Sequence, residues 1–120
     1  MASLFVHVTS GPEHPTKAAL AFLVARAAVE EGHDVTVFLA GDAVQLLRDG
    51  VLDSLVGLGT GSLRESYDAV VAGGARIYAS RMSSNARGLG EGDLEGKPVE
   101  LGTPQTLVEL TLASDRVLTY

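Results

Sequence analysis

Leu4-Phe5-Val6-His7-Val8, then Thr9-Ser10-Gly11-Pro12-Glu13-His14, then Asp34-Val35-Thr36-Val37-Phe38-Leu39-Ala40 are the stretches that decide the fold. The first and last are short runs rich in β-branched and aromatic residues. Neither alternates cleanly between apolar and polar, which is the pattern of strands covered on both faces. Between them, Thr9 to His14 is a turn cluster, and Pro15 suits the first position of a helix. Thr16 to Gly32 has helical periodicity, with Leu20, Leu23, Val24 and Ala27 as the expected buried stripe, widened by Phe22 and Val29. Arg26 and Glu30 form an i,i+4 pair in the less favourable order, and Gly32 is the expected left-handed cap. The polar face is narrow, so the helix should have two packing partners. One is the sheet, and a second subunit is a candidate for the other.

Working outward, the same alternation continues. Gly41-Asp42 turns into a short helix, Ala43 to Arg48, and Asp49 to Gly61 reads as a loop or irregular stretch. Ser62 and Glu65 have the spacing of a capping box, ahead of Leu63, Tyr67, Val70 and Val71 on one helical face. Gly73-Gly74 stops that helix, and Ala75 to Ala79 is the third strand. Ser80 to Leu89 reads as a loop running into a short helix, and Gly88 to Gly96 as an exposed, Gly- and acid-rich segment. Pro98 to Leu101 is a fourth strand, Thr103-Pro104 caps a helix to about Ala113, and Arg116 to Tyr120 is the last strand. Strands alternating with helices predict parallel βαβ units in a three-layer α/β/α sandwich, as one domain over residues 1–120.

The composition narrows the functions available. At 46% hydrophobic and 20% charged, the chain has the balance of a folded domain. Only 5% is aromatic and there is no Trp, so Ala, Val and Leu must build most of the core. The net charge is −6, which argues against nucleic acid and anionic membranes as partners. Even Arg76, Arg81 and Arg87, the closest group of bases, form no run. There is no cysteine, so disulfides, thiolate nucleophiles, persulfides and Cys-based metal sites are closed to the chain. Met1-Ala2-Ser3 leads straight into the first strand without the pattern of a secretory signal, and no apolar stretch approaches a membrane span. The expected location is cytoplasmic.

An open parallel sheet binds ligands beyond the carboxyl ends of its strands. That rule selects Ser10, Gly11, Glu13, His14 and Lys17 in the first loop and helix start, Gly41 and Asp42 after the second strand, and Ser80, Arg81, Ser83 and Arg87 after the third. The first loop with its helix N-terminus suits an anion, but the same residues are ordinary turn and cap chemistry. The arginines suit a carboxylate or phosphate, but they are also ordinary surface charge. Ser80 is a candidate nucleophile only if a base such as His14 reaches it; otherwise it caps the next helix. Gly57 to Gly61 and Gly88 to Gly92 resemble dinucleotide fingerprints only superficially, since neither directly follows a strand. His7 is expected to be a packed, hydrogen-bonded strand residue, and His33 a turn residue. No spacing joins the three histidines into a metal site, and no cofactor is expected.

Val8 to Glu13, Lys17 to Phe22, Gly32 to Leu39 with Gly41-Asp42, and Ile77 to Ser80 with Ser83 and Ala86-Arg87-Gly88 follow one another in an order that resembles the DsrE/DsrF-like proteins. The resemblance covers nearly the whole chain. It implies a mainly parallel five-stranded sheet flanked by helices, and assembly into dimers, trimers or hexamers. In the sulfur-relay branch, a cysteine at the end of the strand before the Ala-Arg-Gly segment carries a persulfide. The resemblance puts Ser80 at that position, and a hydroxyl cannot carry sulfur in this way.

Three functions follow as expectations. The first is a non-catalytic, homo-oligomeric domain that binds a small ligand or partner protein and is not a persulfide carrier by itself. The second is an enzyme or anion-binding protein using Ser80, Arg81, Arg87 and the Ser10 to Lys17 loop. The third is an accessory subunit of a sulfur-relay complex whose cysteine lies on a partner.

Overall fold

The computed structural model describes residues 1–120. β1 (Ser3–Val8), α1 (Pro15–Glu30) and β2 (Asp34–Leu39) form the expected opening unit. A 3₁₀ turn (Gly41–Leu47), α2 (Asp49–Ser54), and the two-residue strands β3 (Val56–Gly57) and β4 (Gly61–Ser62) lead into α3 (Leu63–Ala72). Then come β5 (Arg76–Ser80), α4 (Arg81–Ala86), α5 (Glu91–Leu94), β6 (Val99–Gly102), α6 (Pro104–Ala113) and β7 (Arg116–Thr119). Five strands form the main sheet in the order β6-β5-β2-β1-β7, every neighbouring pair parallel. The α/β fold is therefore the mainly parallel five-stranded sheet flanked by helices expected from the alternation.

Register divides the sheet into two unlike faces. Val6, Val8, Val37, Leu39, Ile77 and Ala79 point one way and join α1, α3 and the 3₁₀ turn in the principal core. Phe5, His7, Phe38 and Tyr78 point the other way, across the adjacent strands β1, β2 and β5. Their rings meet in sequence: Phe5 stacks on His7, His7 meets Phe38 edge-on, and Phe38 stacks on Tyr78, at 6.1–6.5 Å between centroids. α6 lies on this second face. A side chain at Gly102 would meet the Phe38 ring at 2.7 Å and Thr106 of α6 at 3.4 Å, so only glycine lets the helix and strand approach there.

Several expectations about α1 are corrected. Its buried residues are Ala18, Ala19, Ala21, Phe22, Ala25 and Ala28. The expected stripe is rotated outward: Leu20, Leu23 and Val24 are half-buried and Ala27 is exposed. In a helix apolar on most of its circumference, hydrophobicity alone does not choose the inner face. The alanines win because small side chains let the helix approach its neighbours closely. The second partner is α3 of the same chain, where Phe22 and Tyr67 meet at 6.1 Å. The end of the helix is as expected, with Gly32 at φ 87° and Arg26 3.6 Å from Glu30.

The stretch read as a loop, Asp49 to Gly61, holds α2 and the β3–β4 hairpin. Its order comes from distant residues. The nearly buried Lys97 ammonium lies 2.9 Å from Asp49, and Arg64 lies 2.8 Å from Asp53. Hydrogen bonding and the charge of Lys97 hold the Asp49 carboxyl below its ordinary range. Gly88 to Gly96 is likewise not simply exposed: Leu89 is buried, and Glu91–Leu94 forms α5 with Leu94 against the core. The short helix expected over Ala43 to Arg48 is a 3₁₀ turn with Ala43, Val44, Leu46 and Leu47 buried. No helix is long and apolar enough to cross a membrane.

Candidate functional site

The carboxyl ends of β1, β2 and β5 bring three of the expected loops together. Gly11 packs on the backbone of Asp42, with the carbonyl carbon 2.7 Å from where a side chain would begin. That contact excludes any larger residue and ties the first loop to the turn after β2. The Gly11 N–H donates to Glu13 Oε1 at 2.7 Å, and Ser10 beside it is buried. Gly41 has φ 58°, a conformation that favours glycine, and its N–H donates to Ser83 Oγ at 2.8 Å.

The turn after β5 completes a latch. The Ser80 hydroxyl accepts the Ser83 N–H at 3.1 Å, so Ser80 is the N-cap of α4. The Arg87 guanidinium lies 3.0 Å from Asp42 Oδ1 through both Nε and Nη2, and Nη1 donates to the Ser83 carbonyl at 3.2 Å. Asp42, Ser80, Ser83 and Arg87 therefore satisfy one another. Chemically, this arrangement locks three chain turns together, and it leaves the arginine's donors engaged within the protein. No hydrogen bond joins His14 to Ser80, whose hydroxyl is instead engaged as the cap of α4.

The other expected residues stand apart from this latch. His14 is the exposed N-cap residue of α1, and Lys17 is exposed in the first turn. With Glu13, Pro15 and Thr16 they line a shallow depression of about 260 Å³. Arg81 is exposed at the start of α4.

Two features were missed from the sequence. Arg48 donates to the Arg87 carbonyl at 2.8 Å and approaches Asp93 at 3.3 Å, bracing the latch from behind. Nothing in sequence spacing pairs residues so far apart. The second is α6, where none of the ten residues is buried, although Leu107, Val108, Leu110 and Leu112 are apolar. Val108 is 55% and Leu112 81% exposed. The signal was present in the run Leu107-Val108-Glu109-Leu110-Thr111-Leu112, which is too apolar for a helix meeting water on one side.

The expectation that His7 is hydrogen-bonded is also corrected. Its Nε2 is buried without a partner, and desolvation lowers the imidazole pKa from its ordinary value. The Gly-rich runs are turns. Gly57 to Gly61 closes the β3–β4 hairpin, and Gly88 to Gly92 leads into α5.

The geometry can be set beside known proteins. The DsrE/DsrF-like family model matches residues 2–120. Among solved structures, the ychN protein from E. coli superposes with a TM-score of 0.82 at 24% identity, covering 100% of both chains. A conserved protein of unknown function from Bacteroides thetaiotaomicron gives a TM-score of 0.73 at 13% identity, covering 99% of this chain and 95% of its own. No curated protein matches the sequence.

Proposed function

Because the chain belongs to the DsrE/DsrF-like family, we propose that it is a non-catalytic member that self-assembles and presents its carboxyl-end loops to a small ligand or partner protein. It does not carry persulfide sulfur by itself, since it has no cysteine and the resemblance puts a capping serine at the carrier position. A sulfur-relay role would require the cysteine of a partner.

The observation that carries this reading is α6. A helix with Val108 and Leu112 exposed and Leu107 and Leu110 only half-buried presents an apolar surface that covering would stabilise. The occupant that fits is a second copy. Of the net charge of −6, the segment Pro104 to Thr119 contributes only −1, from Glu109 and Asp115 against Arg116. Two acidic chains can therefore meet here with little repulsion. A groove of about 380 Å³ beside Val108, lined by Pro104, Gln105 and Glu109, offers a receptacle for an apolar side chain from the other copy.

Assembly makes thermal stability depend on concentration. The wild-type Tm is expected to rise as protein concentration is raised from the low to the high micromolar range. Leu112→Asp is expected to abolish that dependence while leaving the monomer folded, because Leu112 is 81% exposed. A wild-type Tm that does not move with concentration refutes self-assembly.

A second reading has its own support. α1 begins without a side-chain cap and without an acidic residue in its first turn, with Lys17 beside the 260 Å³ depression. This is the chemistry of a weak oxyanion site. Titration with inorganic phosphate is expected to give heat that Lys17→Ala reduces several-fold, whereas Arg87→Ala tests whether the latch contributes. Equal heats for wild type and Lys17→Ala remove this reading.

A further inference from the structure

His7 sits on the same sheet face as α6, and its surroundings are those of a neutral imidazole. The ring lies between Phe5 and Phe38, with centroids 6.5 and 6.2 Å away. Its partners across the two ladders are Phe38 and Thr119, neither of which carries a negative charge to offset an imidazolium. The other ionisable groups on this face are Asp34 at the start of β2, Arg76 and Tyr78 on β5, Glu100 on β6, and Asp115 just before β7, which is bonded to Ser3; α6 adds Glu109. None of them hydrogen-bonds to His7, and Arg76 is engaged with the Thr36 hydroxyl at 3.1 Å. Yet His7 is only half-buried in the single chain. Beside it on β7, Val117 and Thr119 are exposed, and Val117 faces Phe5 across the ladder.

We propose that His7 is a proton-operated switch for self-association: the α6–β7 face pairs with a second copy while the imidazole is neutral, and separates when His7 is protonated. This inference rests on the assembly reading above. A second copy covering Val117 would finish burying His7 against apolar side chains. Burial without a partner penalises the charged form, so the assembled state binds the proton less well than the free chain. Linkage then fixes the sign. Desolvation already lowers the pKa in the single chain. Association is at full strength above the free chain's own imidazole pKa, which desolvation already sets below the ordinary value of about 6.5, and it weakens as pH falls through that lowered value. Each further unit by which assembly lowers the pKa allows about a tenfold weakening per protomer at low pH.

The general charge of the protein pushes the opposite way. Acidification from neutrality moves the chain from −6 toward its pI near 4.9, which reduces repulsion between copies and favours association. A dissociation on acidification therefore cannot be charge reduction at large.

The test is sedimentation equilibrium at pH 7.5 and 5.5 on the wild type, His7→Phe and His7→Gln. The Phe variant keeps a ring beside Phe5 and Phe38 without a titratable group. The Gln variant keeps a neutral polar side chain should the Phe variant fold poorly. The wild-type dissociation constant is expected to rise at least tenfold at the lower pH, and to change less than threefold in whichever neutral variant folds. An equal rise in the neutral variants, or a wild type whose association is unaffected by pH, overturns the switch and leaves the assembly reading intact. A wild type that is monomeric at both pH values overturns the assembly reading and the switch together.

Discussion

Phe22→Ala is expected to lower the free energy of unfolding by about 3–5 kcal/mol, the usual cost of emptying a large buried aromatic site. Phe22 is 1% exposed and packs between α1 and α3, with the Tyr67 ring tilted against it. The other buried residues of α1 are all alanines, which have no side-chain length with which to fill the void. In a domain whose total stability is about 5–15 kcal/mol, this is a large share. Urea unfolding measures it directly, as a fall in midpoint at unchanged slope. A loss below about 1 kcal/mol would mean that α1 and α3 do not pack as described.

Gly11→Ala has the next largest expected effect, and it acts on the candidate site itself. The added methyl would overlap the backbone carbonyl of Asp42, which belongs to the chain and cannot rotate away like a side chain. Overpacking of this kind costs about 1–3 kcal/mol. The turn after β2 must shift to make room. Gly41 and Asp42 lie in that turn, so their bonds to Ser83 and Arg87 are expected to loosen with it. Limited proteolysis should then cut within the Gly41–Asp42 or Ser80–Arg87 segments faster than in the wild type. Arg87→Ala should reproduce the faster cutting with less loss of stability, because it removes the ion pair without the steric clash. Unchanged cutting in both variants would show that the three turns are not coupled.

The fold was largely legible because β1, α1 and β2 carry local signals that agree: apolar runs, a turn cluster, Pro15 at the helix start and Gly32 at its end. Helix starts at Ser62 and Thr103 were also readable, since capping is a local hydrogen bond, whereas the stretch read as a loop running into a short helix from Ser80 begins at once with α4, Arg81–Ala86, capped by Ser80. What escaped depends on distant partners. α2 is held by Lys97 and Arg64 reaching to Asp49 and Asp53, and α1 chose its alanine face because of the neighbours it meets. The candidate site was legible as a location, because the ends of parallel strands must converge. Its internal bonding was not. Sequence could name Asp42, Ser83 and Arg87, but only the fold shows that they satisfy one another and are braced by Arg48.

The absent cysteine takes on a more definite meaning once Ser80 is seen as a helix cap. Its hydroxyl accepts the Ser83 N–H where the resemblance expects a sulfur carrier. Ser80 thus has structural work of its own as the cap of α4, in a chain whose outer helix has no buried position.

We propose that this chain works as a self-assembling scaffold. Light scattering on the wild-type protein at micromolar concentration and pH 7.5 tests it most directly. The expected mass is a whole multiple, two or more, of the 12.5 kDa chain. A mass equal to a single chain across the micromolar range would contradict it.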